Sequence, residues 1–289
     1  MKSECNDEEA RRAYWSTQMD AAYAFMGKML EYPVEECGES LVSLKEAVAA
    51  EGLAVEFSQS LIAGQDARLF YLRSGLIPDF LAVAREMNER GWMLKVEDGF
   101  RSREMQRHIA LHETVLDLVL QKVIWETRGT IPDPVFLFQR LTCLIATYPK
   151  IGTHMSGSAI DISVLRASDH SEVGRGAPYL EMSELTPMES PFVNAEAARN
   201  REAISELMRH HGFIPYPQEF WHYSKGDAYA ESLTASGRPA RYGAVDFDSS
   251  TGRVSPILNP CEPLHSMNDI RRHIALALDR VKLRAEKIR

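Results

Sequence analysis

An acidic residue stands in the middle of an apolar strand of this chain and constrains the fold more than any other single feature. The segment 158–164 alternates as a β-strand does, and Asp161 lies in it between Ile160 and Ile162. A carboxylate buried at such a position needs a cation or hydrogen bonds to offset its desolvation. The fold must therefore bring partners for Asp161 from elsewhere in the chain.

Two histidines are the partners that the sequence offers. His154 precedes Asp161 by a loop that includes Gly157, and a tight reversal at this glycine would let the two side chains converge. His222 lies on a separate predicted strand, at the end of the segment 219–222. A catalytic zinc commonly takes three His, Asp or Glu ligands and keeps its fourth position for water. The sequence therefore predicts a Zn²⁺ site formed by His154, Asp161 and His222.

Two charged residues supply the other groups that a zinc hydrolase needs. Glu219, three residues before His222, is positioned to face the activated water without ligating the metal, where it would accept a proton and return it to the leaving amine. Arg101 follows the predicted strand 92–97, in a loop that reaches the same cleft. A guanidinium there would stabilise the oxyanion that develops on attack. The alternative role for Arg101 is a structural salt bridge to Asp98 or Glu97.

The same segments resemble a known enzyme family. Over residues 69–230 the chain is similar to the zinc D-alanyl-D-alanine dipeptidases, the VanX-type branch of the M15 family of metallopeptidases. The resemblance implies the same zinc ligands, catalytic base and transition-state stabiliser as the residue chemistry, and an M15/hedgehog-like peptidase fold. The segments that carry it are Asp98-Gly99-Phe100-Arg101, His154-x-x-Gly157-x-Ala159-x-Asp161 and Glu219-x-Trp221-His222.

The chain departs from the family at the residues that bind the substrate's free amine. The family has a serine two residues before its first ligand, where this chain has Gly152, followed by Thr153. The family also has an acidic residue in a segment that residues 180–189 resemble with two residues inserted. We expect Glu189 to anchor the amine, with Glu181 as the second candidate, and Thr153 to contact the substrate.

Strands interspersed with helices predict an α+β fold, with a central antiparallel sheet flanked by helices. Residues 66–235 would form the zinc peptidase domain. Residues 1–65 would form a helical N-terminal extension packed on that core, and residues 236–289 a hairpin and an amphipathic helix. Apolar residues at helical spacing also predict one long helix over residues 103–126.

The C-terminal helix, predicted over residues 266–288, carries an apolar stripe that includes Ile270, Ile274 and Ala277. Packing of this stripe onto the chain's own core is the expected role. A homo-oligomer contact through the same helix is the alternative.

The composition of the chain argues against two classes of binding partner. The formal net charge of −8 argues against nucleic acid, since binding to phosphate backbones normally needs a basic surface. No apolar run approaches the ~20 residues that span a bilayer, so no membrane partner is expected. The first nine residues are charged and lack the apolar region of a signal peptide, which predicts a cytoplasmic location.

Three functions remain open from the sequence. The first is a zinc peptidase that hydrolyses a D-Ala-D-Ala-like dipeptide. The second is a D,D-carboxypeptidase that acts on peptidoglycan fragments. The third is a non-catalytic module in which zinc only stabilises the fold and the terminal extensions bind a partner. Glu219 and Arg101 favour an enzyme, because neither is needed merely to hold a metal.

Overall fold

The computed structural model describes the backbone of residues 2–287 and the side chains of residues 7–281. Met1, Ile288 and Arg289, which end the two predicted terminal extensions, lie outside the described residues. Within the described range the helices are α1 (Lys2–Glu31), α2 (Leu44–Glu51), α3 (Ile77–Glu89), α4 (Arg103–Leu111), α5 (Glu113–Glu126), α6 (Pro134–Ile145), α7 (Thr153–Ser156), α8 (Ala195–His210), α9 (Ala228–Leu233) and α10 (Met267–Lys287). The strands are β1 (Leu41–Ser43), β2 (Val55–Phe57), β3 (Tyr71–Arg73), β4 (Trp92–Asp98), β5 (Ala159–Arg166), β6 (Ile214–Pro215), β7 (His222–Ser224), β8 (Val245–Asp248) and β9 (Arg253–Pro256).

The central sheet has five strands in the order β2-β4-β5-β7-β6, with helices packed against it, so the α+β prediction is confirmed. One detail of the prediction was wrong, because the sheet is mixed and not purely antiparallel. Strand β2 runs parallel to β4, whereas the other three pairs are antiparallel. Parallel neighbours need a crossover connection, and α3 lies between β2 and β4 in the chain and packs beside β4.

Strand β5 sits at the centre of this sheet and separates an apolar face from a polar one. Ile160, Ile162 and Val164 are fully buried in the largest hydrophobic cluster, together with Phe80 and Val83 of α3. Side chains alternate along a strand, so the opposite face carries the acidic residue. The core is thus built on one side of β5, and the candidate site on the other.

The predicted helix over residues 103–126 is two helices, which corrects the sequence interpretation. The backbone of His112 is extended, with φ −62° and ψ 133°, and it ends α4 and begins α5. The apolar stripe serves two different cores, since Ile109 of α4 packs beside Ile62 and Leu116 of α5 packs beside Leu137. Periodicity alone does not reveal the break, because the spacing continues through His112.

The terminal helices pack against the same group of central helices. Ile270, Ile274 and Ala277 of α10 are buried in one cluster with Leu120 of α5, which is the role expected for the stripe. At the other end of the chain, α1 packs against α6, and its Trp15 is 1% exposed. Among the residues that the structure describes, no helix has the length and apolar character needed to cross a membrane.

Candidate metal centre

The first predicted ligand, His154, lies on the single-turn helix α7 and is 6% exposed. Its Nδ1 atom lies 2.6 Å from the carbonyl oxygen of Gly99. A carbonyl only accepts, so this contact places the proton on Nδ1 and leaves Nε2 free to bind a cation. Gly157 ends the helix in the left-handed region, at φ 68°, and returns the chain into β5 as the sequence predicted.

The other two ligands lie directly opposite each other on neighbouring strands. Asp161 of β5 pairs in register with His222 of β7 on one side and with Asp98 of β4 on the other. Residues paired in register point to the same face of a sheet, so the three side chains form a row across it. A β-bulge between Val96 and Asp98 adjusts the register so that the row is complete.

The three predicted ligands converge on one point. Asp161 Oδ1 lies 3.2 Å from His154 Nε2 and 2.9 Å from His222 Nδ1, and candidate ligand atoms of all three residues lie within 4.8 Å of one another. Tetrahedral zinc with bonds of about 2.0–2.2 Å holds its ligand atoms roughly 3.3–3.6 Å apart. Two imidazoles and a carboxylate, all buried, therefore fit a zinc ion in both type and spacing.

The second nitrogen of His222 is also held by the protein. Its Nε2 atom lies 2.9 Å from the hydroxyl oxygen of Thr153. Each imidazole thus presents one nitrogen to Asp161 and the other to a polar group, as ligand histidines of metal sites do.

The second oxygen of Asp161 has partners of its own. It accepts a hydrogen bond from the Tyr179 hydroxyl at 2.9 Å, and Arg101 Nη2 lies 3.5 Å away. Burial by itself would raise the pKa of Asp161, but His154 and His222 hold it well below its ordinary value. The carboxylate is therefore kept ionised, which is the form that binds a cation.

Glu219 borders this centre without joining the three ligands. Its Oε2 atom lies 3.9 Å from His222 Nδ1, and its side chain is 20% exposed. Desolvation raises the pKa of Glu219 to about 7, with a further increase from the charge of Asp161, while His222 and Arg101 oppose it. A carboxyl group with this pKa exchanges a proton readily near neutral pH.

Arg101 lies near both Asp161 of the candidate centre and the carboxylate of Asp98. Its Nε atom donates to Asp98 Oδ2 at 2.7 Å, so the salt bridge weighed as an alternative is present. Burial would lower the pKa of Arg101, but Asp98 and Asp161 raise it above its ordinary value. Arg68 contacts the same Asp98 oxygen, at 3.1 Å from its Nη1 atom. Asp98 therefore orients two guanidinium groups that line one cavity.

This cavity has a volume of about 220 Å³ and joins the ligands, Glu219 and Arg101. Of the predicted substrate-binding residues, Thr153 and Glu181 line it, whereas Glu189 is exposed and lies outside its lining. Glu181 is therefore nearer to the candidate site than Glu189, and the amine-binding role of either residue stays a prediction. Thr153 also has a contact that the sequence did not predict, to a ligand imidazole.

Sequence reasoning missed Arg68 and Tyr179 altogether and considered Asp98 only as a partner of Arg101. Arg68 and Tyr179 lie in irregular segments, and neither belongs to a spacing that signals a site. A second group of possible ligands is formed by Glu86, His210 and His211, which are partly exposed. The Glu86 carboxylate in that group also pairs with Arg90, which weakens the case for a cation there.

Comparison with known proteins shows a similarity to one peptidase family. The family model of the M15 peptidases, described as D-ala-D-ala dipeptidase, matches residues 131–237. The chain is 31% identical over 71 residues to a D-alanyl-D-alanine dipeptidase of Enterococcus faecium, covering 25% of this chain and 35% of that protein. It is 28% identical over 116 residues to a D-alanyl-D-alanine dipeptidase of Escherichia coli (strain K12), covering 40% and 53%.

These two matches span about a third and about half of the relatives' own lengths. A longer one joins the chain to a D-alanyl-D-alanine dipeptidase of Synechocystis sp., at 23% identity over 240 residues, covering 75% of this chain and 96% of that protein.

Two solved structures also show similarity. The LdcB LD-carboxypeptidase aligns at a TM-score of 0.36 and 16% identity, over 78% of this chain and 84% of the other. A mutant of the vancomycin-resistance D,D-pentapeptidase VanY in complex with Zn(II) aligns at 0.33 and 17%, over 65% and 95%. Over residues 131–237 the chain is therefore similar to the M15 peptidases, and its three relatives are D-alanyl-D-alanine dipeptidases.

Proposed function

We propose that this protein is a zinc-dependent peptidase that hydrolyses a short peptide of the D-Ala-D-Ala type. The observation that carries the proposal is the convergence of His154, Asp161 and His222 on one buried point, with Glu219 and Arg101 in the same cavity. The names of the relatives support the substrate class.

In the proposed mechanism His154, Asp161 and His222 would hold the metal. Zinc, when bound, would supply Lewis-acid activation of water and polarisation of the scissile carbonyl. Gly99 and Thr153 would keep the two imidazoles oriented. These contacts support a site whose ligands are arranged before the metal arrives.

Glu219 would act as the proton shuttle. Its carboxylate would accept the proton of the attacking water and then donate it to the nitrogen of the leaving amine. The pKa of about 7 supports both halves of this cycle, because the group gives up and takes back a proton at similar cost near neutral pH.

Arg101 would stabilise the negative charge that develops on the carbonyl oxygen during attack. Its raised pKa keeps the guanidinium charged, and its hydrogen bond to Asp98 limits its motion. Removing one such donor from an enzyme typically lowers kcat about 10²–10³-fold.

The first experiment measures hydrolysis of D-Ala-D-Ala by the zinc-loaded full chain, beside L,L and mixed dipeptides and longer peptides that end in D-Ala-D-Ala. Glu219→Ala should abolish hydrolysis while zinc stays bound, and Arg101→Lys should lower kcat with unchanged zinc content. Glu206→Gln, at an exposed position on α8, is the matched control and should behave as the wild type.

The outcomes separate the three functions. Full activity in Glu219→Ala would overturn the mechanism. Cleavage of the longer peptides in place of the dipeptide would identify a carboxypeptidase. Zinc binding without turnover of any peptide would favour the non-catalytic module, in which the metal only stabilises the fold.

A further inference from the structure

The candidate catalytic cavity has two chemically different ends. Around the predicted ligands its lining is charged, with Arg101 and Glu219 linked to them by contacts of 3.9 Å or less. The rest of the wall is largely apolar, and its buried part includes Met26, Ile109 and Ile151. An apolar wall continuous with a catalytic centre is the usual surface on which an enzyme holds a side chain of its substrate.

Three leucines extend this wall to the opening of the cavity. Leu61, Leu118 and Leu180 are 50%, 51% and 57% exposed, and all three line the same cavity. They come from separate parts of the chain: the β2–β3 connection, helix α5 and the β5–α8 connection. A single exposed leucine is ordinary, but three that converge on one opening form an apolar patch of the kind that marks a binding site.

Part of the apolar wall comes from outside the segment that matches the family. Met26, Leu61, Ile109 and Leu118 all precede residues 131–237. Met26 lies on α1, where the Tyr229 hydroxyl contacts its sulfur at 2.6 Å, so the N-terminal helix forms part of the cavity. The elements that precede the matched segment therefore contribute to what the far end of the cavity accepts.

We propose that this apolar wall is a specificity subsite for a bulky aliphatic side chain of the peptide substrate, such as that of leucine, in preference to alanine. The proposal rests on the peptidase function and names its substrate class more closely. A leucine side chain adds three carbons to that of alanine, and in enzyme pockets a single methylene changes kcat/KM by about 10–200-fold. We therefore expect at least a tenfold preference for a leucine-containing dipeptide.

The test compares D-Ala-D-Ala with D-Ala-D-Leu and D-Leu-D-Ala on the zinc-loaded full chain. One leucine peptide should have a kcat/KM at least about tenfold above that of D-Ala-D-Ala. Leu118→Asp should remove this preference by lowering kcat/KM for the leucine peptide more than that for D-Ala-D-Ala. Leu276→Asp is the matched control, since Leu276 is also helical and 50% exposed but does not line the cavity, and it should leave the preference intact.

Binding to zinc-loaded Glu219→Ala, measured by calorimetry, separates this inference from the proposed function. Tighter binding of a leucine peptide, weakened by Leu118→Asp in the same background, would support the subsite even if no peptide is cleaved. Cleavage with equal or better use of D-Ala-D-Ala would overturn the subsite and leave the peptidase standing. An equal effect of Leu118→Asp on both peptides would also overturn it.

Discussion

The hydroxyl oxygen of Thr153 lies 2.9 Å from Nε2 of His222, so the residue beside one predicted ligand holds the imidazole of another that is 69 positions away. Thr153 and His154 are consecutive on α7. One turn of helix therefore orients two of the three candidate ligands, and a small shift of this turn would disturb both.

Replacement of Thr153 tests this arrangement. Thr153→Val keeps the shape of the side chain and removes the hydroxyl, so His222 loses its outer partner. Loss of such a partner typically costs 10–100-fold in metal affinity, and we expect a decrease of that size. Chelator competition measures it, and Thr153→Ser should restore most of the affinity. Equal affinities of the wild type and Thr153→Val would contradict the orienting role.

Asp161→Ala should reduce bound zinc below the one equivalent expected for the wild type. It removes the carboxylate that faces both imidazoles, at 2.9 and 3.2 Å. Metal analysis after gel filtration gives the result. His210→Ala is measured in parallel, because His210 belongs with Glu86 and His211 to the second group of possible ligands. Any metal bound weakly at that group would be lost in His210→Ala. Undiminished zinc in Asp161→Ala would exclude this residue as a ligand.

Zinc removal should also destabilise the wild type. A ligand that binds only the folded state adds about 2.7 kcal/mol at a hundredfold excess over its Kd. Thermal unfolding with and without a chelator should show this difference in the wild type, and a much smaller one in Asp161→Ala. Identical unfolding curves for the wild type in both conditions would argue against a tightly bound metal.

Gly157→Ala should destabilise the fold more than Gly52→Ala, the same substitution at another glycine in the left-handed region. An added Cβ at Gly157 would overlap Leu41 Cδ2, whereas at Gly52, with a similar φ of 62°, it would meet nothing within 4 Å. The left-handed conformation alone costs a residue with a Cβ about 1–2 kcal/mol, and overpacking adds about 1–3. Denaturant unfolding of Gly157→Ala and Gly52→Ala measures the difference, and equal losses would contradict the predicted overlap.

The stability of the packing of α1, which carries Arg11, should depend on pH through the ionisation of Glu184. This side chain is 12% exposed and bonds to Arg11 at 2.8 Å and to Lys122 at 3.1 Å. Burial would raise the pKa of Glu184, but the hydrogen bond from Arg11, with the charge of Lys122, lowers it below 4.5. Of these two partners, Arg11 lowers the pKa of Glu184 more, through its hydrogen bond.

Because the folded-state pKa is lowered, the stabilisation is fully present above pH 4.5 and is lost as the pH falls below it. Glu184→Gln should therefore cost about 1–2 kcal/mol at neutral pH, and progressively less in acid. Urea unfolding across this range tests the sign, with Glu206→Gln as an exposed control. A difference that grows on acidification would contradict the assignment.

The sequence by itself determined the types of residue at the site and most of the elements that carry them. Asp161 between two isoleucines, with His154 before Gly157, is a local pattern, and local chemistry and periodicity can be taken from spacing alone. The turn at Gly157 was predicted for the same reason, since left-handed positions favour glycine.

Only the tertiary structure decided which distant groups meet. Arg68 and Tyr179 reach the site because irregular segments return to the sheet, and no periodicity encodes the path of such a segment. The break at His112 and the parallel strand β2 arise because packing against two cores and a crossover helix outweigh local pattern. Whether Glu181 or Glu189 faces the cavity likewise depends on how one loop folds over the sheet, which is set by long-range contacts.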